Sequence, residues 1–282
     1  MVAKVLKVIL ITLAVFILLV DAFILLLKFW WFPKQERDLA NIVLEDDKIQ
    51  PTTLNIPKKV GYVYCPILLY HHIAKVEPQD SYSVSPEIFD QQMKWLLDNG
   101  YKVIKFDDYY RAMNKKRSLP AKPVVITFDD GDHDQYASGF PILQKYGFSA
   151  MFFLKINNIG KSGGLSWQEI KKMRDAGMEI GSHSVNHDSM SKMDLETMRH
   201  ELTDSKKTLA QNLGIDVNYF AYPGGAFSAT TETETKTAGY LSAVSTKHEV
   251  YHKFSQDLFA VPRIHIDDEM PTFVDWIQGK NL

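Results

Sequence analysis

Residues 124–131 read Val124-Val125-Ile126-Thr127-Phe128-Asp129-Asp130-Gly131, an apolar run that stops abruptly at two carboxylates and a glycine. A short continuous run rich in β-branched and aromatic residues suits a strand buried on both faces, as in a parallel sheet. Adjacent carboxylates at its end repel, each raising the other's pKa, unless a cation shares them. A metal ion removes that difficulty: one Asp ligates it, and its neighbour, kept ionised by the positive charge, takes a proton from water. Standing alone, Asp-Asp-Gly is more often a plain turn.

On either side the pattern repeats. Apolar runs at Ile67–Tyr70, Val103–Phe106, Ala150–Leu154, Met178–Gly181, Tyr219–Tyr222, Leu241–Val244 and Phe259–Ile264 alternate with amphipathic segments. Ser85-Pro86-Glu87 opens a helix that stops at Asn99-Gly100, and helical stretches at Trp167–Ala176 and Asp194–Leu213 end at Gly177 and Gly214. This alternation, over about 250 residues, predicts an α/β fold with a parallel sheet, closed as a distorted (β/α) barrel. Chemistry in such folds sits at the carboxyl ends of strands.

The polar residues at those ends are the informative ones. Met178–Ser182 runs into His183-Ser184-Val185-Asn186-His187, whose histidines share a face if the segment turns helically. An isolated His pair of this spacing is usually surface or core; beside the Asp pair it completes an Asp, His, His set with open positions, the catalytic type of metal site. Pro66–Tyr70 runs into His71-His72, and a histidine there can protonate a leaving group. In Phe220-Ala221-Tyr222-Pro223-Gly224-Gly225 the glycines leave backbone bare, which suits an N–H aimed at a developing oxyanion, or simply a tight turn.

Thr127–Gly131, His183–His187 and Phe220–Gly225, in this order after apolar strands, resemble the three successive motifs of the NodB-like polysaccharide deacetylases. Ile67–His72 and Val261-Pro262-Arg263-Ile264 resemble the branch that includes deacetylases of poly-N-acetylglucosamine, the intercellular adhesin type. The likeness spans roughly Pro66 to Ile277. It implies Asp129 as general base, Asp130, His183 and His187 as metal ligands, His71 rather than His72 as general acid, and Arg263 as the partner that orients Asp129. Gly224, with Tyr222, falls at the oxyanion and substrate position. Three positions depart from the family pattern: Ala221 where Arg is common, and Gly224 and Asp132 where aromatics are common.

The resemblance implies a metal-dependent hydrolase that removes N-acetyl groups from an extracellular or cell-wall amino sugar polymer, with Zn²⁺ first among metals and Co²⁺ or Ni²⁺ able to fit. The rival readings are a deacetylase of peptidoglycan sugars or O-acetyl esters, and a non-catalytic carbohydrate-binding protein. Trp167 and Trp276 could stack on sugars but lie in helical patterns that favour the core.

Composition sets the outer limits. The chain has 282 residues, 45% hydrophobic and 23% charged, so it folds. Thirty-two basic residues against 34 acidic ones leave no excess for nucleic acid. The single cysteine, Cys65, excludes an internal disulfide and a multi-cysteine zinc site, and reads as a core thiol. Behind Lys4 and Lys7, Val8 to Leu27 is almost wholly Val, Ile, Leu and Phe, worth roughly −5 to −10 kcal/mol of insertion against at most about 3 for Asp21. Residues 1–32 are therefore expected to anchor the chain as a single-pass membrane helix, with signal-peptide cleavage and secretion as the alternative. Residues 33–59, with three prolines and an acidic cluster, read as a linker, and 60–282 as the catalytic domain, placed outside the cell because the polymer is there.

Overall fold

The computed structural model describes residues 62–75, 80–115, 117–254 and 256–280. The membrane helix and linker expected before residue 60 lie outside them; among the described residues no helix is long and apolar enough to cross a membrane.

In chain order, β1 (Tyr62–Tyr64), β2 (Ile67–Tyr70), β3 (His72–Ile73) and β4 (Ser83–Val84) lead to α1 (Pro86–Asp98). There follow β5 (Lys102–Val103), α2 (Phe106–Asn114), β6 (Pro123–Phe128), and a π-helical turn, Gln135–Gly139, that runs into α3 (Phe140–Tyr146). Next come β7 (Met151–Leu154), α4 (Trp167–Asp175), β8 (Glu179–Ser182), α5 (Leu195–Leu213), β9 (Tyr219–Ala221) and α6 (Ala229–Thr237). The last elements are β10 (Ser242–Val244), β11 (Tyr251–Lys253), β12 (Ile264–His265) and α7 (Met270–Ile277). Helix ends follow local chemistry: Ser166 and Glu169 form a capping box on α4, Asp194 caps α5, and Gly214 ends it in the left-handed conformation.

The main sheet has the order β10-β9-β8-β7-β6-β2-β12, with β5 beside the start of β6 and all pairs parallel. Every residue of β6 is buried. Val124, Ile126 and Phe128 enter one core and Val125 another, so apolar side chains cover both faces and the strand reads as a continuous apolar run. Phe128 and Phe152 stack at 4.7 Å across β6 and β7. Cys65 is fully buried, and Trp167 and Trp276 pack against the larger core.

The parallel sheet expected from the alternation is present, as a curled half-barrel where a distorted (β/α) barrel was expected. The run Phe259–Ile264 is not one strand: only Ile264–His265 pairs with β2, while Val261 bridges to Val244 at the far end of the sheet. Pro262, with no N–H to give a ladder, separates the two pairings. The run Val103–Phe106 also divides, because Glu179 at the start of β8 accepts from the N–H groups of Phe106 (2.6 Å) and Asp107 (3.0 Å) and so caps α2 from a distant strand.

Behind the sheet, His252 is fully buried with Nδ1 2.5 Å from the Tyr109 hydroxyl. Burial pushes its pKa down to about 3, whereas an exposed histidine titrates near 6.5. The unfolded chain therefore takes up a proton that the folded chain refuses. Stability from this group is complete above about 6.5 and is lost as pH falls toward about 3, by up to about 1.4 kcal/mol per pH unit. Between pH 6.5 and about 5, the melting temperature of the wild type should fall more steeply than that of His252→Gln; equal slopes in the two proteins would place the acid sensitivity in other groups.

Candidate active site

Asp129 and Asp130 follow β6, His71 follows β2 and His183 follows β8, so parallel strands deliver these four to one end of the sheet, and Arg263, which precedes β12, reaches Asp129 through its side chain. A cavity of about 450 Å³ is lined there by residues that include His71, His72, Asp129, Asp130, His183, His187 and Gly224. Gly131 has φ +74°, and a Cβ there would come within 2.8 Å of Leu154, so the turn after the Asp pair requires glycine. Gln135, fully buried, donates from Nε2 to the carbonyls of His71 (2.8 Å) and Asp129 (2.5 Å) and ties the two strand ends together.

Arg263 has no exposed surface and Asp129 almost none. The guanidinium donates to both carboxylate oxygens of Asp129, at 2.8 and 2.7 Å, to Thr127 Oγ1 at 3.1 Å and to the Ser245 carbonyl at 3.0 Å. Burial alone would raise the Asp129 pKa. The charge of Arg263 and its hydrogen bonds outweigh burial and hold it well below the usual carboxylate range. Asp129 is thus ionised at any working pH.

Asp130 Oδ1 lies 3.5 Å from His187 Nε2 and 3.9 Å from His183 Nε2, and as a buried oxygen it has no hydrogen-bond partner. One ligand atom from each of the three residues falls within 4.8 Å of the others. His183 Nδ1 is 2.7 Å from the Ala221 carbonyl, which can only accept; Nδ1 therefore carries the proton and Nε2 keeps its lone pair toward Asp130. Two imidazole nitrogens and a carboxylate oxygen, oriented this way, fit a divalent ion such as zinc. Lys155 Nζ also reaches Asp130 Oδ1, at 3.2 Å.

The histidines do not share a helix face, contrary to the helical reading of residues 183–187. The segment is an irregular loop in which Ser184 (φ +66°) and His187 (φ +68°) are left-handed, as is Asp130 (φ +78°). Glu201, a buried acid on α5, holds this shape by accepting from the backbone N–H groups of Val185 (2.8 Å) and Asn186 (2.9 Å). Non-glycine residues in that region cost about 1–3 kcal/mol each, and surrounding bonds must sustain them.

His71 lines the cavity, and burial pushes its pKa down to about 4, with Asp129 and Asp130 opposing part of the shift. Its neighbour His72 turns to Asp134, 2.9 Å from Nδ1; that hydrogen bond raises its pKa. Tyr222 departs from the substrate-facing expectation: its ring is fully buried and stacks on Phe227 at 4.8 Å, so the side chain is core. Gly224 does line the cavity, at φ +62°. Asp132, a third carboxylate in the sequence, is held aside by Asn158 at 2.7 Å and does not line it. Sequence reasoning missed Tyr82, Thr246 and His265 on the cavity wall, and Gln135, Glu201 and Lys155 beside it. Of these only His265, two residues after Arg263 in the motif-bearing stretch, carried a signal in its position.

A family model described as polysaccharide deacetylase matches residues 116–243, a span that holds Asp129, Asp130, His183, His187 and Gly224 but neither His71 nor Arg263. The chain is 30% identical over 205 residues to YxkH of Bacillus subtilis (strain 168), whose name places it among the polysaccharide deacetylases; the match covers 73% of this chain and 72% of that one. It is 29% identical over 205 residues to the poly-beta-1,6-N-acetyl-D-glucosamine N-deacetylase of Staphylococcus aureus (strain MSSA476), covering 67% of this chain and 69% of the relative. The solved deacetylase PplD of Streptococcus pyogenes, in complex with acetate, superposes with a TM-score of 0.72 at 30% identity, over 76% of this chain and 97% of that one.

Truncating Arg263 would strand a buried carboxylate, which costs about 3–5 kcal/mol. Arg263→Met should lower unfolding free energy by that order in denaturant titrations at neutral pH, and Arg263→Lys, which keeps the charge but not the fork, by less. A loss below about 1 kcal/mol for Arg263→Met would show that water replaces the guanidinium.

Proposed function

The chain belongs to the polysaccharide deacetylase family, and from that premise we propose that it is a metal-dependent N-deacetylase of an N-acetylglucosamine polymer of the poly-β-1,6 type, releasing acetate and leaving a free amine. The observation that carries the reading is the set of Asp130, His183 and His187 atoms converging beside an Arg263-clamped Asp129 in one cavity. The likeness to the Staphylococcus aureus relative supports the choice of polymer.

A divalent ion held by Asp130, His183 and His187, with zinc the first choice for two nitrogens and a carboxylate, would polarise the acetyl carbonyl and acidify a water when bound. Asp129, fixed by Arg263 and ionised at rest, accepts the proton that the water loses as its oxygen bonds to the acetyl carbon. The C–N bond then breaks and the amine takes up one proton. His71, neutral at rest with its pKa near 4, takes over the proton that Asp129 accepted and delivers it to the nitrogen from the amine side, so that one proton leaves the water, one reaches the amine and Asp129 is again a carboxylate. The backbone at Gly224 supports the oxyanion. Arg263 thus secures the charge state of Asp129 at some expense of basicity.

The anchor and the external location belong to the same proposal: residues 1–32 hold the domain at the membrane, facing the polymer. Protease added to intact cells should then release the folded domain, and full protection would reverse the topology.

Purified protein should release acetate from a β-1,6-linked N-acetylglucosamine oligomer, and a chelator should stop it. Asp129→Asn should cut the rate by about 10²- to 10⁴-fold. His187→Ala should lose most of its metal by elemental analysis, whatever its activity. Equal metal in His187→Ala and wild type would remove that residue from the ligand set, and a near-wild-type rate in Asp129→Asn would require another base.

A further inference from the structure

We propose that Tyr82 is the specificity-determining platform of this site, its ring receiving the apolar face of the same pyranose whose acetylated nitrogen is being released. The inference rests on the deacetylase reading above and adds a residue and a geometry to it.

Tyr82 is 54% exposed, the most open of the large apolar side chains among the described residues, yet it lines the cavity. Its ring meets His71 edge-on at 5.0 Å and 86°, and His265 at 5.2 Å; His71 and His265 meet edge-on at 5.2 Å. Three rings from three elements thus brace one another, and Tyr82 is the outermost. The backbone beneath it is fixed from both sides. The Tyr82 carbonyl accepts from His72 N–H at 3.0 Å, and Tyr82 N–H donates to Asp80 Oδ1 at 2.9 Å. Just beyond β4, the backbone N–H and hydroxyl of Ser85 both donate to Asp268 Oδ1 at 2.8 Å. Asp268 lies three residues after His265, so the segments carrying the two rings are tied directly to each other. An exposed ring on so rigid a base loses little freedom when a ligand covers it.

The chemistry of the wall selects the ligand. Among the described residues the only aliphatic one in the lining is Leu69, fully buried, so these residues offer an acyl chain no apolar channel. A phosphate would face Asp129 and Asp130. A pyranose has what the wall can use, a face of C–H groups for an aromatic ring and a rim of hydroxyls for histidine and carboxylate edges. Position decides which sugar of a polymer it is. His71 serves the departing nitrogen, and Tyr82 touches His71. The ring bonded to that nitrogen is therefore the one that comes to rest on Tyr82.

The test is steady-state kinetics of the metal-loaded protein on β-1,6-linked N-acetylglucosamine oligomers from dimer to pentamer, read as acetate release. Tyr82→Ala should raise KM about tenfold or more with kcat nearly preserved. The fold-loss in kcat/KM should be the same at every chain length that the wild type turns over. Tyr82→Phe and Tyr82→Trp should restore KM, while Phe254→Ala, at an exposed aromatic that does not line the cavity, should change nothing. An unchanged KM, a fall in kcat alone, or a loss confined to the longer oligomers would overturn the proposal; the last two would make Tyr82 a prop for His71 or a distal contact. Wild-type protein that releases no acetate from any acetylated glycan would instead overturn the deacetylase reading beneath it.

Discussion

One buried ion pair organises this molecule. Arg263 and Asp129 have left water almost completely, and each loses several kcal/mol of hydration in doing so. The loss is tolerable because the guanidinium geometry is filled: two bonds to the carboxylate, one to Thr127 and one to the Ser245 backbone. Those partners lie on β6 and just past β10, while Arg263 itself precedes β12. A single side chain therefore links the middle of the sheet to both of its ends, near the place where the Val244–Val261 bridge curls it. Fold closure and the charge state of the candidate base depend on the same contact.

Around that pair the site stands in a conformation that the local sequence would not choose. Asp130, Ser184 and His187 all occupy left-handed backbone, and Glu201 and Gln135 supply buried hydrogen bonds that compensate. The ligand atoms of Asp130, His183 and His187 are consequently positioned by second contacts, to Ala221 and Glu201 among others, and not by helical periodicity. The departure at Ala221 leaves this untouched, since what His183 uses there is a carbonyl that any residue provides.

What was legible in the sequence divides along a physical line. Strands buried on both faces carry continuous apolar runs, so β2, β6, β7, β8, β9 and β10 could be read with their polar termini, and Asp129, Asp130, His71 and His183 came with them. Helix caps are local, and the starts of α1, α4 and α5 were equally readable. Features that depend on contacts between distant segments were not. The capping of α2 by Glu179 split a run that looked like one strand, and Glu201 replaced the expected helical turn at His183–His187 with a loop. Tyr222 looked like a site residue because it neighbours one in sequence, but alternation along the strand end sent its ring into the core. Tyr82 lies in the turn before the short strand β4, with nothing local to mark it, and His265 lies in a two-residue strand whose partner is far away in the chain.

The separation of 134 residues between Asp129 and Arg263 also has a temporal side. At about 5–20 residues per second, the ribosome delivers the carboxylate roughly 7 to 27 seconds before its cation. Until then Asp129 has no reason to leave water, because the ion that compensates its burial does not yet exist. The central strands are made early, yet the carboxylate at the end of β6 cannot be buried with its partner until Arg263 has been added. Assembly of the reaction centre is in this way deferred until Arg263 is made, and the shorter nascent chain travels without a finished catalyst.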